Sequence, residues 1–516
     1  MGSRGFWGRA QEAPGWTAVI EADGTRHAAG DLLARINQIT HGLRAAGLRP
    51  GDGIASLLPN GAAPLELYLA ALQAGWYFTP INWHFTAPEI AYIVRDCEAK
   101  AFFVAERFAE TGTAAADLAE FPVRGRYCYG DVPGFIPIKE LCSGQPDGTP
   151  PARMAGSPMI YTSGTTGRPK GVRRALYRQD PDDAAGLSTT LLRFFGVTDG
   201  PDNAHLLTSP NYHAAGTSFG SGAIHLGHTM VCMDGWDAEL TLEMVERYQI
   251  TNTHMVPTQF KRLLSLPWET RHRYDISSMR WLLHGAAPCP VGIKAAMLEW
   301  WGPRIYEYYA ATEGGGTVAT PQDWLARPGS VGRPWPVSKI MIADDDGRPC
   351  PPETAGNVYI QTGTRRFTYK DDPAKTEDGR LGEFFTVGDI GYLDEDGYLF
   401  LCDRKSDQIL SGGVSIYPAE IESEIIMHPK VADVAVFGIP DEEWGEQIRA
   451  VVQAADGQQP GPELAAEILA SLEGRLAHMK WPKTVGFIEE MPRDPSGKLL
   501  RRRLRDEYWE GYGRAI

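Results

Sequence analysis

The sequence predicts an α/β protein in two parts. A large N-terminal domain of parallel α/β sheets ends in a small barrel-like section, and a small α+β domain follows. Three observations carry this expectation. Over residues 1–150, stretches of helical period alternate with short apolar runs bounded by glycine and proline, as parallel strands joined by helices do. After Thr317 the strand-like runs alternate with Asp- and Gly-rich turns, the texture of an antiparallel or barrel-like sheet. A polar stretch, Asp403-Arg404-Lys405-Ser406-Asp407, then separates a last segment with a pattern of its own.

Taken in order, residues 31–46 read as a helix ended by Gly47 and followed by the turn Arg49-Pro50-Gly51-Asp52. Residues 53–58 form a continuous apolar run, a buried strand. A second helix, 65–74, closes at Gly75 before a strand at 77–81, and a third, 89–97, precedes a strand at 101–104. The alternation resumes from 203 to about 305, through Leu206-Leu207, Met230-Val231-Cys232 and Trp281-Leu282-Leu283-His284. In the barrel-like section, Lys339-Ile340-Met341-Ile342 and Gly356-Asn357-Val358-Tyr359-Ile360 are strands, with turns at Asp345-Asp346-Gly347 and Asp394-Glu395-Asp396-Gly397. The last segment predicts a helix at 418–427, strands at 431–438 and 447–454, and a helix at 462–476. These readings place a large domain at 1–403, a hinge at 404–406 and a small domain at 407–516.

Composition narrows the function. With 43% hydrophobic and 22% charged residues among 516, the chain can bury a sizeable core, so disorder is not expected. A net charge of −15 argues against nucleic-acid binding, which needs a basic face. The seven cysteines (97, 128, 142, 232, 289, 350 and 402) contain no CxxC pair, so neither a zinc site nor a disulfide framework is expected. The N-terminal stretch has no apolar core of signal-peptide length, and no eighteen-residue apolar run occurs. A cytoplasmic protein with no integral membrane segment is expected. The oligomeric state is left open, a homodimer included.

The most specific stretch is Ile160-Tyr161-Thr162-Ser163-Gly164-Thr165-Thr166-Gly167-Arg168-Pro169-Lys170-Gly171-Val172. An apolar strand leads into a loop of hydroxyls and glycines, then a lysine. Successive N–H groups of such a loop can curl around an anion, with the ammonium neutralising charge. Its spacing does not fit a Walker loop.

This stretch resembles the phosphate-binding loop of the adenylate-forming superfamily, which includes acyl-CoA synthetases, luciferases and peptide-synthetase adenylation domains. Other stretches similar to that family follow in order. Asn211-Tyr212-His213-Ala214-Ala215-Gly216 resembles the gate of the acyl pocket. Tyr306-Glu307-Tyr308-Tyr309-Ala310-Ala311-Thr312-Glu313-Gly314 resembles the segment that holds adenine and Mg²⁺. Phe385-Thr386-Val387-Gly388-Asp389-Ile390-Gly391-Tyr392 resembles the ribose-binding stretch, residues 403–420 the hinge and glycine loop, and Pro492-Arg493-Asp494-Pro495-Ser496-Gly497-Lys498 the catalytic lysine loop.

The resemblance implies an acid:CoA ligase that uses ATP, Mg²⁺ and coenzyme A. A carboxylate would attack the α-phosphorus of ATP, expelling pyrophosphate and leaving an acyl-adenylate, and a thiol would then take the acyl group. Charge builds on phosphate oxygens, so the first step needs fixed donors and cations more than a base. By this match Thr162, Ser163, Gly164, Thr165, Thr166, Gly167 and Lys170 hold the phosphates, Thr312 contacts the α-phosphate and Glu313 places Mg²⁺. Gly285, Ala286, Ala287, Glu307, Tyr308 and Tyr309 border the nucleotide, with Tyr309 offering a face to adenine. Asp389 accepts from the ribose hydroxyls beside Arg404. Lys498 bridges the attacking carboxylate and the α-phosphate. Gly412, Gly413 and Trp444 border the thiol path, and the pivot falls at Ser406, where the family often has Asp or Lys.

The acyl-pocket stretch predicts the substrate class. Tyr212-His213-Ala214 contains no acid to pair an ammonium, which disfavours an amino acid. The small residues after His213, Gly220 and Gly222 among them, face Gly285-Ala286-Ala287 and Gly314-Gly315-Gly316 by the family match. They predict a wide apolar cavity for a bulky or long-chain hydrophobic acid. Two alternatives stay open: an enzyme that only adenylates or that loads a carrier-protein phosphopantetheine, and a non-catalytic homologue. The second would be expected to lack Lys498 or Glu313, and this chain has both.

Overall fold

The computed structural model describes residues 5–162, 169–176, 178–311, 314–362, 367–369, 377, 379–493 and 498–510. Its first unit is a six-stranded parallel sheet with Gly53–Leu57 at its centre, flanked by Tyr77–Pro80 and Ala99–Ala105. Every residue of Gly53–Leu57 is buried, as a parallel strand covered on both faces must be. The second unit is a nine-stranded sheet whose middle is parallel. It runs from Thr229–Cys232 through Ala204–Leu207, Asn252–Met255 and Trp281–His284 to Ile305–Ala310. Antiparallel Gly316–Ala319 and Arg333–Pro334 extend it at one edge.

One apolar core joins the two sheets. The Ala62–Ala74 helix, buried at nearly every position, packs with Leu207, Ile224 and Met230 of the second unit. Phe6 and Trp7 close this core from the short Phe6–Glu12 helix. The sequence did not predict that helix, because seven residues are too few for a period to show.

The barrel-like section is antiparallel, built from Ser338–Ala343, Gly356–Thr362, Asp389–Leu393 and Leu399–Arg404 with two short strands. Beside it, Ile160–Thr162, Lys170–Arg174 and Phe367–Tyr369 form a three-stranded sheet. The C-terminal segment has its own sheet, centred on the long pair Val431–Asp441 and Gly445–Ala454, and its own core of Ile409, Ile421, Val436 and Ile468. Its helices begin where predicted, but the second ends as an α-helix at Ala470. Two further elements were not foreseen. Thr484–Ile488 pairs in parallel with Gly445–Ala454, and Arg501–Trp509 is a helix whose run of arginines hides any apolar period.

Five histidines are sealed in the second unit, and burial pushes each below its ordinary value: His205, His225 and His228 to about 4, His254 to about 3, and His284 well below it. The first four are hydrogen-bonded while neutral. His205 Nδ1 meets Asn252 Oδ1 at 2.6 Å, and His225 Nδ1 accepts from the Phe6 amide at 3.1 Å. Unfolded, these rings titrate near 6.5, so the unfolded state binds more protons between about pH 6.5 and 4. Stability is therefore full above that window and falls as the pH drops through it, by up to about 1.4 kcal/mol per unit per histidine. Glu66, pushed up to about 7 by burial, opposes them, as do Glu307, Asp403 and Glu422, whose carboxyls burial also pushes up. Urea melts should show a clearly lower midpoint at pH 5 than at pH 7.5. A midpoint flat across that range would contradict the sealed-histidine account.

Candidate active site

The site forms where the parallel strands of the second unit end beside the antiparallel section. Ligands of α/β sheets bind at the carboxyl ends of the strands. His284 and Glu307 are register partners on neighbouring parallel strands; the first strand ends at His284, so Gly285 lies alongside Tyr308, while the second runs on to Ala310. A Cβ at position 285 would stand 2.6 Å from the Tyr308 carbonyl. Ala286 follows in the left-handed region at φ +67, a conformation that disfavours side chains beyond Gly, Asn and Asp. On the other strand, Gly314, Gly315 and Gly316 all take positive φ where the chain turns back, and a Cβ at 316 would meet the Tyr309 carbonyl. This wall is therefore made largely of backbone.

Three residues predicted from separate stretches meet here. The Tyr309 hydroxyl donates to Asp389 Oδ2 at 2.6 Å. Asp389 stands opposite Arg404 in the antiparallel ladder, and Arg404 Nε lies 3.5 Å from Asp389 Oδ1. A carboxylate offers about four acceptor positions, so Asp389 keeps capacity for two hydroxyls. Tyr309 also packs against Val172, Ile360 and Phe385. Val172 is two residues beyond Lys170, which pairs in register with Thr162 across the hairpin. The turn of that hairpin thus springs from strands next to the Tyr309 cluster. Ser163, Gly164, Thr165, Thr166, Gly167, Thr312 and Glu313, and the side chain of Thr162, lie outside the described residues.

Lys498 lies within a second closure of the chain, in which Arg493 bridges Leu499 and the Leu500 amide donates to the Pro492 carbonyl at 2.8 Å. The base of that loop is anchored by Arg493, whose Nη2 donates to Asp433 Oδ1 at 2.7 Å. Gly412 and Gly413, at φ +59 and +80, make the two-residue turn between Ile409–Ser411 and Val414–Ile416. The Trp444 ring lies on Gly412, where a Cβ would come within 2.5 Å of it, and the Gly412 amide donates to the Trp444 carbonyl at 2.8 Å. Trp444 remains 47% exposed, with Lys483 Nζ 5.6 Å from its ring centre. No motif pointed to Lys483. Ser406 is exposed in a turn closed by the Asp407 amide on the Arg404 carbonyl at 3.0 Å.

Other expected residues are placed elsewhere. Glu307 shares the face of Tyr309 but lies beneath the Val291–Trp301 helix, where Lys294 Nζ approaches to 2.5 Å and both groups are buried. Burial pushes its carboxyl up, and Lys294 opposes that shift. Tyr308 is on the opposite face, its hydroxyl hydrogen-bonded with His254 Nε2 at 2.9 Å and its ring beside Phe219. Both side chains are buried, and the Tyr308 carbonyl and ring border Gly285.

The small residues of the expected acyl pocket fall into two roles. His213 precedes the Ala214–Leu226 helix, its ring 4.6 Å from Tyr212. Gly220 adjoins a narrow, mostly apolar cleft of about 40 Å³, walled by Pro64, Leu65, Tyr68, Phe78, Leu207 and Met230. Gly222 faces the other way. A Cβ there would meet Leu192 Cδ1 at 2.8 Å and the Ser188 carbonyl at 3.0 Å, so this glycine lets the Pro181–Phe194 helix approach closely. Several of the small residues therefore serve close packing.

Comparison with known proteins identifies the class. The AMP-binding enzyme model matches residues 6–364 and the AMP-binding enzyme C-terminal domain model residues 420–498. The chain belongs to the AMP-binding, adenylate-forming enzyme family. It is 32% identical to the fatty acid–[acyl-carrier-protein] ligase ScoC of Streptomyces coeruleorubidus, over 98% of this chain and 96% of that protein. It is 33% identical to a feruloyl-CoA synthase from Amycolatopsis sp, over 97% of each. The ATP-bound structure of MatB from Rhodopseudomonas palustris superposes over 100% of both chains with a TM-score of 0.80 at 27% identity. Among the described residues, no group of three or more His, Cys, Asp or Glu is placed to hold a metal ion, and no helix is long and apolar enough to cross a membrane.

The two glycines should separate experimentally. Gly222→Leu should destabilise the fold by about 1–3 kcal/mol through overpacking, read as a lower denaturant midpoint. Gly220→Ala, which meets only Leu207 and Met230 at 3.4 and 3.5 Å, should melt like the parent. Equal melting of all three proteins would contradict the helix-contact role of Gly222.

Proposed function

We propose that this protein activates a hydrophobic carboxylic acid with ATP as an acyl-adenylate and transfers the acyl group to the thiol of coenzyme A. The observation that carries the reading is the meeting of Tyr309, Asp389 and Arg404 beside the Lys170 hairpin. Tyr309 offers an aromatic face to adenine, and Asp389 accepts from the ribose hydroxyls. Lys170 and the loop before it neutralise the departing pyrophosphate. Mg²⁺ is expected to accompany ATP, with Glu313 as its carboxylate ligand. Lys498, a point charge on a flexible stem, steadies charge at the α-phosphate.

The acid's tail would enter the cleft beside Gly220, whose apolar walls suit an alkyl or aryl group. For the second step, the exposed Gly412-Gly413 turn lets a pantetheine arm pass close to backbone, and Trp444 with Lys483 offers a ring and a cation to the CoA nucleotide. The lysine loop and the glycine turn serve in succession if the C-terminal domain turns about Ser406 between the steps. The similarity to an acyl-carrier-protein ligase supports a second reading, in which a carrier phosphopantetheine replaces CoA. Pyrophosphate release over a panel of acids, with CoA or with a phosphopantetheinylated carrier, separates the two.

Lys498→Ala should lower adenylation by about two orders of magnitude or more, because it removes charge stabilisation confined to that step. Thioester formation from supplied acyl-adenylate should stay close to the parental rate. Equal loss of both half-reactions would overturn the role given to Lys498.

A further inference from the structure

We propose that Asp403 is a positioning residue for Lys498: its buried carboxylate spans the hinge and, through Ala419 and Arg501, latches the small domain in the orientation that serves adenylation. The proposal rests on the adenylation reading above.

The two ends of the latch belong to different bodies. Asp403 is paired with Ile390 in the large domain's ladder, so its backbone cannot follow a rotation about residues 404–406. Its side chain is only 4% exposed and points across the hinge. Oδ2 accepts from the Ala419 amide, in the first turn of the Pro418–Ile425 helix, at 2.8 Å. Oδ1 lies 3.5 Å from Arg501 Nη1. Arg501 is fixed from the small-domain side, donating to Glu422 Oε2 at 2.6 Å and to Asp407 Oδ2 at 2.7 Å. A rotation would carry Arg501, Glu422 and Asp407 together and break both contacts with Asp403. Arg501 also opens the Arg501–Trp509 helix three residues after Lys498, and Arg505 of that helix donates to the Ser406 carbonyl at 3.4 Å. Holding Arg501 therefore holds the end of the lysine loop.

The orientation being held is visible at the domain contact. Residues 412–415 are all exposed, so the glycine turn faces solvent. Lys261 Nζ of the large domain donates to the Ile426 carbonyl at 3.1 Å. Burial pushes the Lys261 ammonium below its ordinary value, and Asp433, which anchors Arg493 at the base of the lysine loop, opposes that shift from across the interface. Met427 sits on Gly292, where a Cβ would come 2.5 Å from its terminal methyl. The lysine-loop side faces the large domain, and the thiol-path side does not.

The test uses Asp403→Asn, which keeps the shape and an acceptor but removes the charge facing Arg501, and Asp403→Ala, which removes both. ATP–pyrophosphate exchange, thioester formation from supplied acyl-adenylate, trypsin cleavage at Arg404 and Lys405, and melting temperature are measured on the full-length enzyme. Asp403→Ala should lower the turnover of exchange about tenfold, the scale of a hydrogen bond to a charged group, with Asp403→Asn in between and KM for ATP little changed. Thioester formation from supplied adenylate should hold or rise, and trypsin should cut the native variants faster. A fall of both half-reactions in parallel, or no change in either with unchanged cleavage, overturns the latch. If Asp403→Ala melts far below the parent, Asp403→Asn carries the comparison. A parent enzyme that exchanges with no acid while the variants are still cut faster would sink the adenylation reading and leave the latch standing.

Discussion

The carboxylate of Asp389 is the point on which the site depends. It begins one strand of the antiparallel section and stands opposite Arg404, the last residue of the next. The Tyr309 hydroxyl reaches it from the parallel sheet. One side chain thus ties the end of a parallel strand, an antiparallel ladder and the start of the hinge. Asp403 is the neighbour of Arg404, so the groups proposed to bind ribose and to hold the small domain sit within a few residues of each other. Any shift in that ladder would disturb both.

The sequence made the strand–helix alternation of the large domain legible because parallel strands, buried on both faces, appear as uninterrupted apolar runs. Gly53–Leu57 and Trp281–His284 are plain examples. It hid elements whose stability comes from distant partners. The Phe6–Glu12 helix exists because Phe6 and Trp7 fill a core built elsewhere, and Arg501–Trp509 is placed by the ion pairs of Arg501 and by Leu504 and Tyr508 packing on Phe437 and Ile439. Neither leaves a local period to read.

At the site, motifs placed Tyr309, Asp389, Arg404, Gly412 and Trp444 where contacts join them. Alternation along a strand puts Glu307 and Tyr308 on opposite faces, both buried, which a contiguous motif does not show. Glycine is harder still to read. An absent side chain reads in sequence as free volume, yet at Gly222 and Gly285 the space is taken by Leu192 and Tyr308. Only the fold tells a glycine that opens a pocket from one that lets two elements touch. The apolar walls contributed by Pro64, Leu65 and Tyr68 come from a helix more than a hundred residues from the acyl-pocket stretch, and no local pattern announced them.

The central claim is that Asp389, held by Tyr309 and Arg404, forms the ribose end of a nucleotide site. Calorimetric titration of ATP into the parent and into Asp389→Ala tests it most directly. Losing a charged acceptor of two hydroxyls, at about 1.5–3 kcal/mol each, should weaken binding by at least about a hundredfold. The far-ultraviolet spectrum should be unchanged. Equal ATP affinity in two well-folded proteins would contradict the account.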